Sequence, residues 1–272
     1  MTLAIPQLIS IILLIFISIN QKKVPFNIDK PQIKIELSKE LKEISGLSWY
    51  NNQLAAVQDE AGILYLLDAS SGIINEKIKF TLPGDFEGIE AVDNTFYTLT
   101  SSGTLFSFDK NTPQQTKRID TPLTWRNDAE GLAFDSLNNQ LLIICKESGS
   151  VANYQTKAKS IYALNLPDYK FSKQPVTTIK KSEMKKFAKV DKFKPSALAI
   201  DPLTQDLYVL ASSGNLLVVL DHSYQIKTVV KLPANIYAQP EGICFSPNGD
   251  LYISNEGNDD KPNFYHLFRS SL

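Results

Sequence analysis

The chain has 272 residues, which predicts one or two domains. Its 43% hydrophobic and 21% charged residues exclude a disordered chain and a polytopic membrane protein. With 28 Lys and Arg against 29 Asp and Glu, the net charge of −1 supplies no overall attraction to nucleic acid, and no nucleic-acid partner is expected.

The first predicted element is an N-terminal hydrophobic helix. Residues 3–19 are almost continuously apolar and lack the polar face of a surface helix. We therefore predict a signal peptide or membrane anchor over residues 1–23 and a linker over residues 24–31. The expected location is the cell envelope, with the chain exported to a periplasmic or other extracytoplasmic space. Whether the segment is cleaved, or instead tethers the chain to the membrane, stays open.

A motif then recurs about every 43 residues, at the spacing of a propeller blade. It starts a buried strand, followed by a turn, a second apolar strand, a turn ending in Gly, a third strand and a more polar fourth strand. One interval carries an insertion of about 20 residues. The recurring positions are Gly46, Gly88, Gly131, Ala197 and Gly242.

The fifth blade ends near Phe268 without a fourth strand of its own. Residues 32–37 alternate apolar and polar side chains and have no other partner. We therefore predict that this N-terminal strand completes the last blade and removes the open edges of the ring. The predicted fold is an all-β, single five-bladed β-propeller with four-stranded blades over residues 32–272.

The phased motifs DFEGIE, DAEGLAF, KPSALAID and QPEGICFSPNGDLYISNEGN resemble those of the SdiA-regulated (YjiK-like) family over most of residues 32–268. The resemblance implies a five-bladed propeller distantly related to NHL-repeat proteins, exported or membrane-tethered. It further implies a calcium site and no established catalytic activity.

The chemistry of any site is restricted by the scarcity of His and Cys. Only His222, His266, Cys145 and Cys244 occur, without a zinc-binding or nucleophile motif around them. The two cysteines are predicted to be buried free thiols because they fall in strands of non-adjacent blades. Oxygen ligands are therefore expected at a metal site, which favours calcium or magnesium.

Three carboxylates precede the repeat position: Glu87, Glu130 and Glu241, with Ser45 and Ser196 in the other blades. Because the first strands line the central channel, these side chains are expected to converge. A metal ion would relieve their repulsion. Alternatively, the carboxylates hydrogen-bond backbone amides of neighbouring blades and only fix blade packing. The residues leave both readings open, and the family resemblance favours the metal.

A second phased set lies at the end of the second strands. It comprises Glu60, Glu147 and Glu256, with Ser101 and Ser212 in the other blades. These glutamates are weaker candidates for the same metal site, since turn residues are usually solvated.

We therefore expect an exported, calcium-binding propeller that binds a small molecule or an envelope protein. The alternative is a calcium-dependent hydrolase acting on lactones or phosphoesters. A third possibility is a scaffold without a ligand. The insertion from Lys157 to Lys194 holds eleven lysines. It is expected to form a solvated blade edge, and the alternative is a contact with an anionic polymer, a phosphorylated ligand or lipid headgroups.

Overall fold

The structure, a computed structural model, describes residues 24–152, 154–257 and 260–270. It confirms the all-β prediction, with five four-stranded antiparallel sheets arranged as a five-bladed propeller. The predicted hydrophobic helix lies outside the described residues. Within the described ranges, no helix is long and apolar enough to cross a membrane.

The first three blades follow one another along the chain, each running from the channel outward. Blade one contains β2 (Ile44–Tyr50), β3 (Gln53–Gln58), β4 (Ala61–Asp68) and β5 (Ile74–Lys79). Blade two contains β6 (Phe86–Val92), β7 (Thr95–Thr100), β8 (Leu105–Asp109) and β9 (Lys117–Ile119). Blade three contains β10 (Ala129–Asp135), β11 (Gln140–Cys145), β12 (Lys159–Asn165) and β13 (Thr177–Ile179).

The last two blades close the ring, and the closing strand comes from the N-terminal side of the chain. β1 (Ile33–Glu36) pairs antiparallel with β20 (Asn263–Leu267), as the unpartnered N-terminal strand predicted. Blade four contains β14 (Lys194–Ile200), β15 (Leu207–Ser213), β16 (Leu216–Leu220) and β17 (Ile226–Lys231). Blade five adds β18 (Pro240–Phe245) and β19 (Leu251–Asn255) to β20 and β1.

Short helical turns occupy some of the connections. Two 3-10 helices span Lys39–Leu41 and Pro113–Gln115. A single-turn helix, α1 (Lys181–Met184), lies in the lysine-rich insertion and buries Met184 against the core between blades three and four. The lysines of the insertion between residues 180 and 194 are exposed, as expected of a solvated edge.

Residues 24–31, predicted as a linker, pack onto blades four and five. Phe26 and Ile28 are buried in a cluster with Tyr208 and Phe245. The guanidinium of Arg269 lies 5.3 Å from the centroid of the Phe26 ring. The two ends of the described chain are therefore held against the same part of the propeller.

The blades pack through apolar side chains. At the repeated glycine, however, the innermost strands of neighbouring blades approach so closely that no side chain fits between them. A Cβ atom on Gly88 would lie 2.9 Å from the carbonyl oxygen of Glu130 in blade three. A Cβ on Gly131 would lie 2.6 Å from the amide nitrogen of Leu198 in blade four. The repeated glycine is thus required by blade contact at the centre.

A β-bulge recurs one residue before this position in every blade. The register between first and second strands shifts there, so that one residue of the first strand has no partner. A bulge redirects a side chain from the sheet face. The five bulge residues are Ser45, Glu87, Glu130, Ser196 and Glu241.

Candidate functional site

The three bulge glutamates converge at one end of the central channel. Burial is the main cause that raises the pKa values of Glu130 and Glu87. Repulsion from Glu241 adds to both shifts, and repulsion from Glu87 adds to that of Glu130, so the three carboxylates are close enough to repel one another. The Glu130 side chain is only 1% exposed. Ser45 and Ser196 are buried at the corresponding positions, where their hydroxyls donate to backbone carbonyls of the next blade. The ring is therefore acidic in three blades and neutral in two.

A lysine that the motif search did not identify lies among these glutamates. The Lys146 Nζ atom is 2.5 Å from Glu130 Oε1. Lys146 comes directly after β11. Burial raises the pKa of each of the three bulge glutamates, and the attraction of Lys146 offsets part of that rise. The sequence pattern does not single out Lys146, because a lysine at a strand end usually faces solvent. Its position in the channel follows from the pairing register of β10 and β11. One ammonium group therefore compensates part of the charge of three carboxylates.

The second predicted set is displaced by one residue in two blades. The register pairs Gly46 with Val57 and Gly131 with Ile144, which places Asp59 and Lys146 where blade five has Glu256. A shift of one residue in a strand reverses the direction of the side chain. The prediction that Glu60 and Glu147 occupy the same position as Glu256 was therefore wrong in blades one and three.

Glu60 and Glu147 consequently lie on the outside. Both are exposed, and Glu147 forms ion pairs with Lys194 and Lys159. The second ring has the following members at equivalent positions: Asp59, Ser101, Lys146, Ser212 and Glu256.

A third ring, which the sequence analysis missed, lies three residues before the repeat position. The Ser101 hydroxyl donates to the Asp85 carboxylate, and the Gln239 amide donates to the Glu256 carboxylate. Glu43 and Glu256 share a side-chain hydrogen bond. The first and second strands thus bring the three rings together. The third ring comprises Glu43, Asp85, Asp128, Lys194 and Gln239.

Burial and mutual repulsion raise the pKa values of several carboxyl groups in this region. Burial, with repulsion from Asp85, raises the pKa of Glu87 to about 8. Burial raises the pKa of Glu256 to about 8, and the neighbouring Glu43 adds to this shift. Burial also raises the pKa of Asp59 and that of Glu241 to about 6. At neutral pH the cluster therefore holds protons that isolated carboxylates would have lost.

The three rings contain many more acidic groups than basic ones. Eight carboxyl groups are accompanied by two lysines: Lys146, which pairs with Glu130, and the exposed Lys194, which pairs with Glu147 outside the rings. We call this region the acidic mouth. Its carboxyl groups belong to Glu43, Asp59, Asp85, Glu87, Asp128, Glu130, Glu241 and Glu256.

The donor chemistry of the acidic mouth fits a hard divalent cation, because it consists of carboxylate, hydroxyl and amide oxygens without His or Cys. Asp59 Oδ1 is buried without a hydrogen-bond partner, which leaves one acceptor oxygen free for such an ion. Across the described ranges, no three Asp, Glu, His or Cys side chains are arranged to share a metal ion. Binding would therefore require rotation of side chains and release of the protons that they share.

The two cysteines are free and buried, as predicted. Burial raises the pKa of the Cys145 thiol to about 12, and it raises that of Cys244 well above its usual value. His266 lies in β20, stacked on Tyr252 and 3.3 Å from Asp250 Oδ2. These groups take no part in the acidic mouth.

Comparison with solved structures shows the same fold at low sequence identity. A glutaminyl cyclase from Myxococcus xanthus is 13% identical with a TM-score of 0.58, covering 89% of this chain and 97% of that chain. A streptogramin B lyase is 13% identical with a TM-score of 0.51, covering 87% and 97%. A nidogen/laminin complex is 15% identical with a TM-score of 0.52, covering 78% and 72%.

No curated protein matches the sequence significantly. The family model described as SdiA-regulated matches residues 19–269, which is nearly the whole propeller and the segment before it. The phased motifs, the ring closure and this match agree, and the chain belongs to the SdiA-regulated family.

Proposed function

We propose that the chain is an exported binding propeller that takes up a calcium ion at the acidic mouth and uses this face to hold a small ligand or an envelope protein. The observation that carries the proposal is the convergence of eight carboxyl groups with two lysines in the three channel rings. A divalent cation would neutralise charge that the protein now balances by retaining protons.

The side of the mouth away from Lys146 is the better place for the ion. Asp85 shares a side-chain hydrogen bond with Glu87, and Glu43 shares one with Glu256. A hydrogen bond between two carboxyl groups requires a proton, and a cation can replace that proton. Burial raises the pKa of Asp59, repulsion from Glu43, Glu60 and Asp85 adds to the shift, and Asp59 contributes the unpartnered oxygen.

Export is proposed from the apolar run at residues 3–19, which precedes the first described residue. If that run is retained, it tethers the propeller to a membrane. Val24 and Pro25 line a cavity beside blade four, so the tether would enter the propeller there.

Isothermal titration of calcium into chelator-treated full-length protein tests the metal proposal. We expect saturable binding accompanied by proton release, measured as a heat that depends on the ionisation enthalpy of the buffer. Glu87→Gln and Asp59→Asn should weaken binding by about tenfold or more, because each removes a charged ligand. Glu76→Gln, an exposed glutamate of the outer strand β5, is the matched control and should bind as the wild type does. Absence of calcium binding in the wild type would refute the proposal.

A calcium-dependent hydrolase is the second candidate. It is favoured by Glu87 and Glu256, because carboxyl groups with a pKa near 8 can serve as proton donors or acceptors at neutral pH. A bound calcium ion would supply Lewis acidity. Turnover of lactones or phosphodiesters that is abolished by chelator and by Glu87→Gln would favour the enzyme. Calcium binding without turnover would favour the binding module.

A further inference from the structure

A cavity lies at the end of the channel opposite to the acidic mouth. Its volume is about 270 Å³, which is at the small end of ligand pockets. All five blades contribute to its wall, through the far ends of the first strands and the turns that follow them. Glu90 lies on β6 three residues after Glu87, about 10 Å further along the channel at the usual strand rise.

The residues two positions after the repeat position form a ring at this end. Glu90 is the only charged member, and the other blades place small or weakly polar side chains at the same height: Ser48, Ala133, Ala199 and Cys244. The rest of the wall is largely apolar and includes the rings of Trp49, Phe134 and Phe245. A single carboxyl group therefore faces an aromatic and aliphatic cavity.

Glu90 has hydrogen-bond donors but no counter-charge. The Ser48 hydroxyl donates to Glu90 Oε1 over 3.3 Å, and the backbone N–H of Phe134 also donates to the carboxyl group. In the part of the chain that the structure describes, no Lys, Arg or His forms an ion pair with Glu90. Burial raises the pKa of Glu90 to about 8. An uncompensated carboxylate in such a place is costly unless a cation joins it.

We propose that this cavity is a binding site for a small organic cation, an amine or quaternary ammonium group with an apolar body, with Glu90 as its counter-ion. A calcium ion does not suit this cavity, because it requires six to eight oxygen ligands and the ring offers one carboxyl group. An organic ammonium ion needs fewer polar partners, and aromatic faces attract it. The site is separate from the acidic mouth and does not depend on calcium.

The protein carries its own reporter for this site. Trp49 lines the cavity, whereas Trp125, the only other tryptophan, is 74% exposed and lies beside Arg126. Trp125→Phe leaves Trp49 as the sole tryptophan. Choline and its neutral carbon analogue, 3,3-dimethyl-1-butanol, are suitable probes because they have nearly the same shape and differ in charge.

Titration of Trp49 fluorescence in the full-length Trp125→Phe protein tests the proposal. We expect saturable binding of choline at least about tenfold tighter than that of the neutral alcohol. We also expect Glu90→Gln to weaken choline binding by about tenfold or more and to leave the alcohol unaffected. Glu60→Gln is the matched control and should bind choline normally. Choline affinity should rise between about pH 6 and about pH 8, as Glu90 loses its proton.

Equal binding of choline and the alcohol would overturn the proposal, as would choline binding that survives Glu90→Gln. Absence of saturable choline binding would overturn it too. Calcium titration of Glu90→Gln should match the wild type, which keeps a failure here distinct from a failure of the acidic mouth. Circular dichroism of Glu90→Gln should be unchanged, because the amide keeps the shape of the side chain.

Discussion

Replacing Glu87 by Gln should make the protein more stable at alkaline pH. Glu87 has a pKa of about 8 in the folded protein against a usual value of 4.5. Between these values the native state holds a proton that the unfolded chain has lost. The free energy of unfolding therefore falls as pH rises through this window, by about 1.4 kcal/mol per pH unit for one proton.

From about pH 5 to about pH 7.5 this slope amounts to about 3 kcal/mol. The whole figure is assigned to one proton, because Glu87 and Glu241 interact and their titrations are not additive. Glu87→Gln removes the titrating group and the repulsion. We therefore expect the variant to gain up to about 3 kcal/mol over the wild type at the alkaline end and little at the acidic end.

Urea unfolding at a series of pH values measures this difference directly. Glu76→Gln, an exposed glutamate of the outer strand β5, should follow the wild type throughout. Parallel stability curves for Glu87→Gln and wild type would refute the reasoning, since the variant must lose part of the pH slope. If calcium occupies the acidic mouth, saturating calcium should also flatten the wild-type curve, because the cation replaces the protons.

Three further predictions concern charge and packing. Lys146→Met should tighten calcium binding by about tenfold or more in calorimetry, because it removes an ammonium group that competes with the cation for the acidic mouth. Gly88→Ala should cost about 1–3 kcal/mol in urea unfolding, since the new Cβ would meet the Glu130 carbonyl; unchanged stability would contradict the close approach. Arg269→Met should destabilise the protein by about 3–5 kcal/mol, because it leaves the fully buried Asp201 without its ion-pair partner; a loss below 1 kcal/mol would show that Asp201 is compensated otherwise.

The repeat allowed the architecture to be predicted because each blade obeys the same local rules. Alternating apolar strands, turn residues and a glycine at each blade start recur along the chain, and an unpaired N-terminal strand had only one edge left to complete. The convergence of Glu87, Glu130 and Glu241 followed from the same logic, since equivalent positions meet on the ring axis. The family resemblance agreed with the observed fold.

The composition of the acidic mouth was decided only by tertiary structure. Bulges and hairpin lengths set the register between the first and second strands of each blade. In blades one and three this register directs Asp59 and Lys146 toward the channel, whereas Glu60 and Glu147 point away from it. Sequence spacing alone does not locate a bulge.

The cavity at the opposite end of the channel could not be predicted from the sequence for a related reason. Glu90 follows Glu87 by three residues within the DFEGIE motif. Strand rise places it at the other end, among aromatic side chains of three other blades. The sequence by itself therefore determined the five-bladed ring and the near-neutral total charge. The folded chain decided how that charge is divided, because ring closure gathers eight carboxyl groups at one end of the channel and leaves one at the other.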